Sequence, residues 1–355
     1  SSDGGGIRGM SELLILKEIM DRVQSQEKLS SAPLPCEYFD MIGGTSTGGI
    51  IALMLGRLRM SINDAIDCYD RITKTVFKAT QVGRDGKFKH KVLEKVIKDV
   101  VKNQVGTDEE RMLDARDNSC KIFVCSRAAQ DLSAGIPRLF RTYQSPEANT
   151  YNCMIWEAAR ATSAAPTFFE RISVAGPGHP KQSYIDGGLG RNNPTKQIIE
   201  EARLIFPDRH VACVISIGTG KPSTISIPKP SLFQCILPSE LIKATIAIAT
   251  DCEAIEQEVA QRFRSVPDFY YRFNVEQGMQ SIGLAEFDKM ENVVAHTDQY
   301  IRGEEIKQRL ANAVSALCRR RALIPTPQMS MAIFKLKKTL SNCSYYSRTC
   351  PNCWY

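Results

Sequence analysis

The strongest constraint on the fold is one short unit. An apolar run, residues 38–42, meets the glycine-dense turn Gly43-Gly44-Thr45-Ser46-Thr47-Gly48-Gly49, which opens the very apolar helix 50–55. A strand and a helix that are both apolar and joined so tightly must pack face to face, which builds an α/β layer. Within the turn, Gly44-Thr45-Ser46-Thr47-Gly48 has the G-x-S-x-G form that raises a serine hydroxyl above a sheet. Gly44 and Gly48 suit such a turn, because a Cβ there would collide with the neighbouring strand and helix. A plain glycine-rich strand-to-helix connection is spelled the same way, so the pattern by itself leaves both readings open.

The rest of the chain repeats the alternation. Leu13, Leu16, Met20 and Val23 mark one apolar helix face. A charged helical stretch covers about 62–102, with a glycine-containing break at 83–86 that reads as a surface loop. Residues 122–125, 139–142 and 184–185 read as strands, 155–162 as a helix, 211–217 as the strongest strand and 270–275 as a late one. Helical patterns cover 239–263 and 304–321, and 222–238 is a loop rich in Pro and Ser. β-Branched runs that end in glycine turns between helices predict an α/β domain with a mostly parallel sheet. It extends over residues 1–324, and Pro325 and Pro327 mark its boundary with a tail, 325–355.

Composition narrows the classes. Apolar residues make up 43% and charged ones 24% of 355 residues, ordinary values for a globular protein with a real core. No apolar run approaches the ~18 residues of a membrane span, and no secretory leader is read. The net charge of +7 sits at one end: nothing after Glu305 is acidic, whereas Lys307, Arg309, Arg319, Arg320, Arg321, Lys335, Lys337, Lys338 and Arg348 are basic. The body is therefore near neutral, which argues against a nucleic-acid partner. The tail reads as disordered, with Met329 to Lys338 as a basic amphipathic segment apposed to a membrane as the alternative. The 12 cysteines mostly sit singly in apolar runs, as Cys125 and Cys213 do, and read as reduced. Cys343, Cys350 and Cys353 have zinc-like spacing but no evident fourth ligand, so no metal and no cofactor is assigned. The expected location is cytoplasmic and peripheral to membranes.

Two further glycine motifs carry chemistry. Gly4-Gly5-Gly6-Ile7-Arg8-Gly9 has the G-x-G-x-x-G form and opens a helix. A dinucleotide site needs a preceding strand and an acidic residue at the end of the next one, but Asp21 and Glu27 lie in or just after the first helix. A P-loop is excluded because no Gly-Lys-Ser/Thr follows. What remains is a row of backbone N–H groups suited to an anion, or a tight turn with no ligand. In acyl transfer the anion would be the tetrahedral oxyanion. The other motif, Asp186-Gly187-Gly188, puts a carboxylate at a strand end, where an ordinary Asp–Gly turn is the bland reading. The chain has only His90, His179, His210 and His296, none in a recognisable catalytic context.

In this order, Asp3-Gly-Gly-Gly-Ile-Arg-Gly9, Gly44-Thr-Ser-Thr-Gly48 and Asp186-Gly-Gly188 resemble the patatin-like phospholipases, in a spelling like that of fungal members. Ala161-Thr-Ser-Ala-Ala-Pro-Thr-Phe-Phe169 and Ser216-Ile-Gly-Thr-Gly220 extend the resemblance over most of the chain. It implies a three-layer α/β/α sandwich and calcium-independent hydrolysis of acyl esters in phospholipids and related lipids, at a membrane or micelle surface. It also implies a Ser–Asp dyad: Ser46 the nucleophile, Asp186 its base, and Gly4, Gly5, Gly6 and Arg8 forming or supporting an oxyanion hole. Gly9, Gly44, Gly48, Gly187 and Gly188 are then the motif glycines. An aspartate of ordinary pKa ~3.9 is a weak base for a serine, so burial must raise it or the oxyanion donors must carry most of the work.

Family members lead into the glycine loop with an apolar strand, and here only Ser1 and Ser2 precede it. The expectation is a fragment, with other domains of a larger parent protein as partners, or a sheet short of a central strand. Three alternatives follow: a triad using His210 or His296, an inactive lipid-binding or signalling module, and, more distantly, a nucleotide-binding protein.

Overall fold

The computed structural model describes residues 1–78, 90–116, 119–131, 137–147, 150–166, 168–175, 180–221 and 252–329. Gly83 to Gly86, His179, the 222–238 loop, most of the 239–263 helix, Ser330 to Lys338 and the Cys343, Cys350 and Cys353 group lie outside them.

The chain opens as a strand. Residues 1–3 lie between β1 (Met41–Thr45) and β7 (Val214–Ile217) and bond to both. Ser2 N–H donates to Gly43 O at 3.0 Å and Thr45 N–H to Ser2 O at 3.1 Å. On the other edge Asp3 N–H donates to Ile217 O at 3.2 Å and Ile217 N–H to Ser1 O at 2.9 Å. The expected gap in the sheet is thus filled by the few residues before the glycines. Side chains fasten this strip: Ser2 Oγ donates to Glu12 Oε2 and Asp3 N–H to Glu12 Oε1, each at 2.6 Å.

Beyond β1 the sheet continues through β2 (Lys121–Ala128), β5 (Gln182–Asp186) and β4 (Ile172–Val174), with β3 (Arg138–Arg141) also on β2. Beyond β7 lies β8 (Tyr270–Phe273). The pairs β1–β2 and β7–β8 are parallel, whereas β2–β3, β2–β5 and β4–β5 are antiparallel. The sheet is therefore mixed, not mostly parallel. Strands β2 and β3, like β4 and β5, are joined by short connections, and a parallel neighbour needs a crossover of a dozen residues or more.

Helices cover the sheet. The first, α1 (Gly9–Glu27), starts from the 3₁₀ turn Gly6–Arg8 and is buried at Leu13, Leu16, Ile19, Met20 and Val23. A four-residue turn, α2 (Pro35–Tyr38), precedes β1. The serine turn leads into α3 (Thr47–Ala52), buried from Gly48 onward and widened to a π turn over Leu53–Arg57. Next come α4 (Ile62–Lys78), with Ser61 Oγ accepting from Asp64 N–H at its start, and α5 (His90–Val105). The remaining helices are α6 (Ile155–Thr162), α7 (Gly188–Arg191), α8 (Thr195–Ile205), α9 (Glu253–Arg262), α10 (Met290–Arg302) and α11 (Glu304–Arg319). α1 packs against α4, α10 and α11. Among the described residues no helix is long and apolar enough to cross a membrane.

Two expectations shift. The run 211–217 is not one strand: β7 enters the main sheet, while His210–Val211 (β6) pairs with Ile324–Pro325 (β9) in a separate ribbon. An apolar run signals burial but not which sheet each half joins. The packed domain also continues past Ile324, since Thr326 is buried and Met329 fills a core cluster with Ile199, Val259 and Phe269.

One buried ion pair anchors the opening strip. Arg272 on β8 reaches across β7, donating from Nη2 to Asp3 Oδ2 at 2.6 Å and from Nη1 to Ser216 Oγ at 2.9 Å. The two side chains are 6% and 1% exposed, so losing one partner strands the other's charge out of water. Arg272→Met is expected to lower unfolding free energy in urea by about 3–5 kcal/mol. The double variant Asp3→Asn/Arg272→Met should recover a large part of that. Equal losses in the two would show that the pairing is not the cause.

Candidate active site

The serine turn is held in a conformation few side chains adopt. Ser46 sits between β1 and α3 at φ 55°, ψ −125°. Such a residue costs of order 1–3 kcal/mol and persists only where its surroundings fix it. Here Ser46 N–H donates to Thr162 Oγ1 at 2.9 Å, and Thr162 Oγ1 donates to Cys125 O at 2.6 Å. Gly44 and Gly48 are required by crowding: a Cβ on Gly44 would overlap Gly48 O, and one on Gly48 would overlap the backbone of Ser2 and Asp3.

Asp186 arrives from the far side of β2, 140 positions along the chain. It ends β5, opposite Ser126. Its N–H donates to Ala164 O at 3.0 Å, so the end of α6 and the residues just after it hold both Ser46 and Asp186. Ser46 Oγ donates to Asp186 Oδ2 at 2.6 Å, and Gly188 N–H donates to Oδ1 at 2.7 Å. Only 4% of Asp186 is exposed. Burial pushes its pKa up to about 6, and the bonds from Ser46 and Gly188 offset part of that rise. Gly187 packs on Cys125 O, where a Cβ would not fit.

The glycine loop completes the site. Gly4 N–H donates to Asn192 Oδ1 at 3.1 Å, and Gly5 N–H to Thr47 Oγ1 at 3.1 Å. Gly6 turns at φ 56° and begins the 3₁₀ turn, with its carbonyl accepting from Tyr69 OH. Leu284 O accepts from Ile7 N–H at 2.9 Å, and Thr219 Oγ1 donates to Gly4 O at 3.1 Å. Arg8 lies half-buried with Nε 3.5 Å from Gly5 O, and Gly9 starts α1 against the Tyr69 hydroxyl. The fold thus brings Ser46, Asp186 and the Gly4-to-Gly6 loop to one place.

The described histidines lie elsewhere. His90 faces Glu170 at 3.5 Å, His210 is exposed on β6, and His296 packs against Gly278 on α10. The hydroxyl partner of Ser46 is a carboxylate, not an imidazole. No group of three or more metal-ligating side chains is present among the described residues, and their cysteines are free thiols.

Reading the sequence missed four supporting residues. Thr162 was visible only as part of a motif with no role attached. Thr47 was the variable residue after the serine. Asn192 follows the Asp-Gly-Gly turn, where a polar side chain in a glycine-rich turn was the available signal. Tyr69 lies inside the charged helical stretch of about 62–102, where nothing in the sequence singles it out.

Comparison with known proteins points to one family. The family model described as Patatin-like phospholipase matches residues 1–199. Phospholipase A I of Arabidopsis thaliana is 28% identical over 349 residues, covering 81% of this chain and 25% of that protein. Calcium-independent phospholipase A2-gamma of Mus musculus is 28% identical over 286 residues, covering 77% of this chain and 34% of its own length. Probable inactive patatin-like protein 9 of Arabidopsis thaliana is 28% identical over 242 residues, 64% of this chain and 61% of that one. The chain spans less than two thirds of each of these relatives.

The raised carboxylate has a consequence for stability. Asp186 holds its proton more tightly folded than unfolded, so its contribution is full below about pH 4 and is lost as pH rises through about 6. That shift corresponds to roughly 3 kcal/mol. Asp186→Asn keeps an acceptor for Gly188 without the charge. It should be more stable than wild type at pH 8 by about 1–3 kcal/mol, with the gap closing towards pH 4. Urea midpoints across that range test this; a gap independent of pH would contradict it.

Proposed function

Because the chain belongs to the patatin-like phospholipase family, we propose that it hydrolyses acyl esters of phospholipids or related lipids through Ser46 and Asp186. The observation that carries the reading is the 2.6 Å bond between Ser46 Oγ and a buried carboxylate whose pKa stands near 6. A base near 6 is largely ionised at pH 7 and is still far more basic than an ordinary aspartate.

In this reading Asp186 takes the Ser46 proton as Oγ bonds to the ester carbonyl carbon. The carbonyl electron pair moves onto oxygen, and the N–H groups of Gly5 and Gly6 are the candidates to stabilise that charge, with Gly4, whose own N–H is held by Asn192, supporting the loop. The N–H of Gly5 rests on the Thr47 hydroxyl, a neutral acceptor that a full negative charge would outcompete. The bond to the leaving alcohol then breaks, and its oxygen takes the proton from Asp186. Water attacks the acyl-serine in the second half: Asp186 accepts its proton, the bond to Oγ breaks, and the proton returns to Ser46 as the fatty acid leaves. No step calls on a histidine.

The names of the relatives support a calcium-independent phospholipase A2 as the finer assignment. Substrate in a membrane or micelle surface, a cytoplasmic and peripheral location, and further domains in a larger parent protein belong to the same proposal.

Ser46→Ala should reduce hydrolysis of phosphatidylcholine in mixed micelles at least about a thousandfold. A fluorophosphonate should label the wild-type protein at Ser46. The kcat/KM of wild type should rise with pH through about 6 and then level, as Asp186 ionises. Turnover retained in Ser46→Ala would overturn the reading, and so would a steep loss on replacing His210 or His296.

A further inference from the structure

We propose that Asn192 is a positioning residue: its carboxamide pairs with both polar groups of the Gly4 backbone and holds the glycine loop against Ser46 and Asp186. This rests on the reading of Ser46 and Asp186 as the reacting pair.

Gly4 N–H donates to Asn192 Oδ1 at 3.1 Å, while Asn192 Nδ2 donates to Gly4 O at 3.1 Å. The backbone carbonyl of Asn192 also lies 3.3 Å from Gly4 N. Two opposed bonds from one planar amide fix the residue facing it much as a neighbouring strand would, and they leave a loop residue little freedom to turn. Asn192 thereby does for the loop what β1 and β7 do for residues 1–3.

The position of the amide gives this consequence for the chemistry. A Cβ built on Gly4 would overlap Asn192 Oδ1 and lie 2.9 Å from Ser46 Cβ. One built on Gly188 would lie 3.2 Å from the same Oδ1 and 3.0 Å from Asp186 Oδ1. The amide therefore stands where the serine turn, the acid's turn and the glycine loop converge. Its neighbour ties in the third piece, since Thr45 Oγ1 donates to Arg191 O at 2.8 Å. Gly188 to Asn192 thus bonds in turn to Asp186, to the strand that carries Ser46 and to the loop. A carboxamide is the group this place requires. It offers a donor and an acceptor side by side without charge, whereas a carboxylate would set a lone pair against Gly4 O.

Asn192 neither accepts nor releases a proton in the reaction, so its effect should fall on the rate constant and not on lipid binding. In Asn192→Ala, kcat towards mixed-micelle phosphatidylcholine should fall about 10–100-fold with KM within about threefold of wild type. Asn192→Asp, nearly the same size but without the donor, should show the same split, and it carries the test if the alanine variant does not fold. Circular dichroism and urea midpoints give the folded fraction by which each kcat is corrected. A corrected kcat within about threefold of wild type, or a loss confined to KM, overturns this inference while leaving the reacting pair intact. Absence of Ser46-dependent turnover in the wild-type protein overturns both.

Discussion

The backbone of residues 1–3 is hydrogen-bonded along both edges, to β1 on one side and β7 on the other. Without that strip the sheet would divide into a β4–β5–β2–β1 half and a β7–β8 half, with no bonded strand between them. The serine belongs to the first half and Thr219, which holds the glycine loop, follows the second. A few backbone bonds therefore set the distance between Ser46 and the loop. The strip is short, so side chains secure it: Glu12 from α1, Arg272 from β8, and Ser2 itself. The crowding at Gly48 is the other face of this contact, because the serine turn rests directly on the Ser2–Asp3 backbone.

The site combines three local costs. Ser46 holds an unusual backbone conformation, Asp186 is buried without a cation beside it among the described residues, and the buried Asp3 carboxylate needs Arg272. Each is tolerable because the surrounding structure is buried and densely hydrogen-bonded. The burial that makes Asp186 costly to ionise also makes it more basic than an ordinary aspartate. A cation beside it would stabilise the fold and lower that basicity.

Much of this was legible in the residues. The glycine density around Ser46 signalled a turn with no room for side chains, and the crowding of Gly44 and Gly48 is that signal in three dimensions. The Asp-Gly-Gly turn signalled a carboxylate at a strand end, where Asp186 stands. The periodicity of Leu13, Leu16, Met20 and Val23 signalled the buried face of α1. The antiparallel half of the sheet was not legible, because β3 and β4 are short and a run of four residues carries no orientation. The split between β6 and β7 was hidden for a similar reason: Val211 and β7 stand in one apolar run, and only their partners differ.

By itself the sequence determined the local vocabulary: which turns must be glycine, which residue is raised on one of them, which carboxylate closes a strand, and which family spells them in this order. These follow from short-range sterics and periodicity, which act over a few residues. Tertiary structure alone decided that Ser46 and Asp186 bond at 2.6 Å, that burial sets the basicity of that carboxylate, and that Asn192, Thr162 and Thr219 hold the loop and turns in place. Those properties depend on groups separated by up to 215 positions, whose distances are fixed only when the sheet forms around the opening strip.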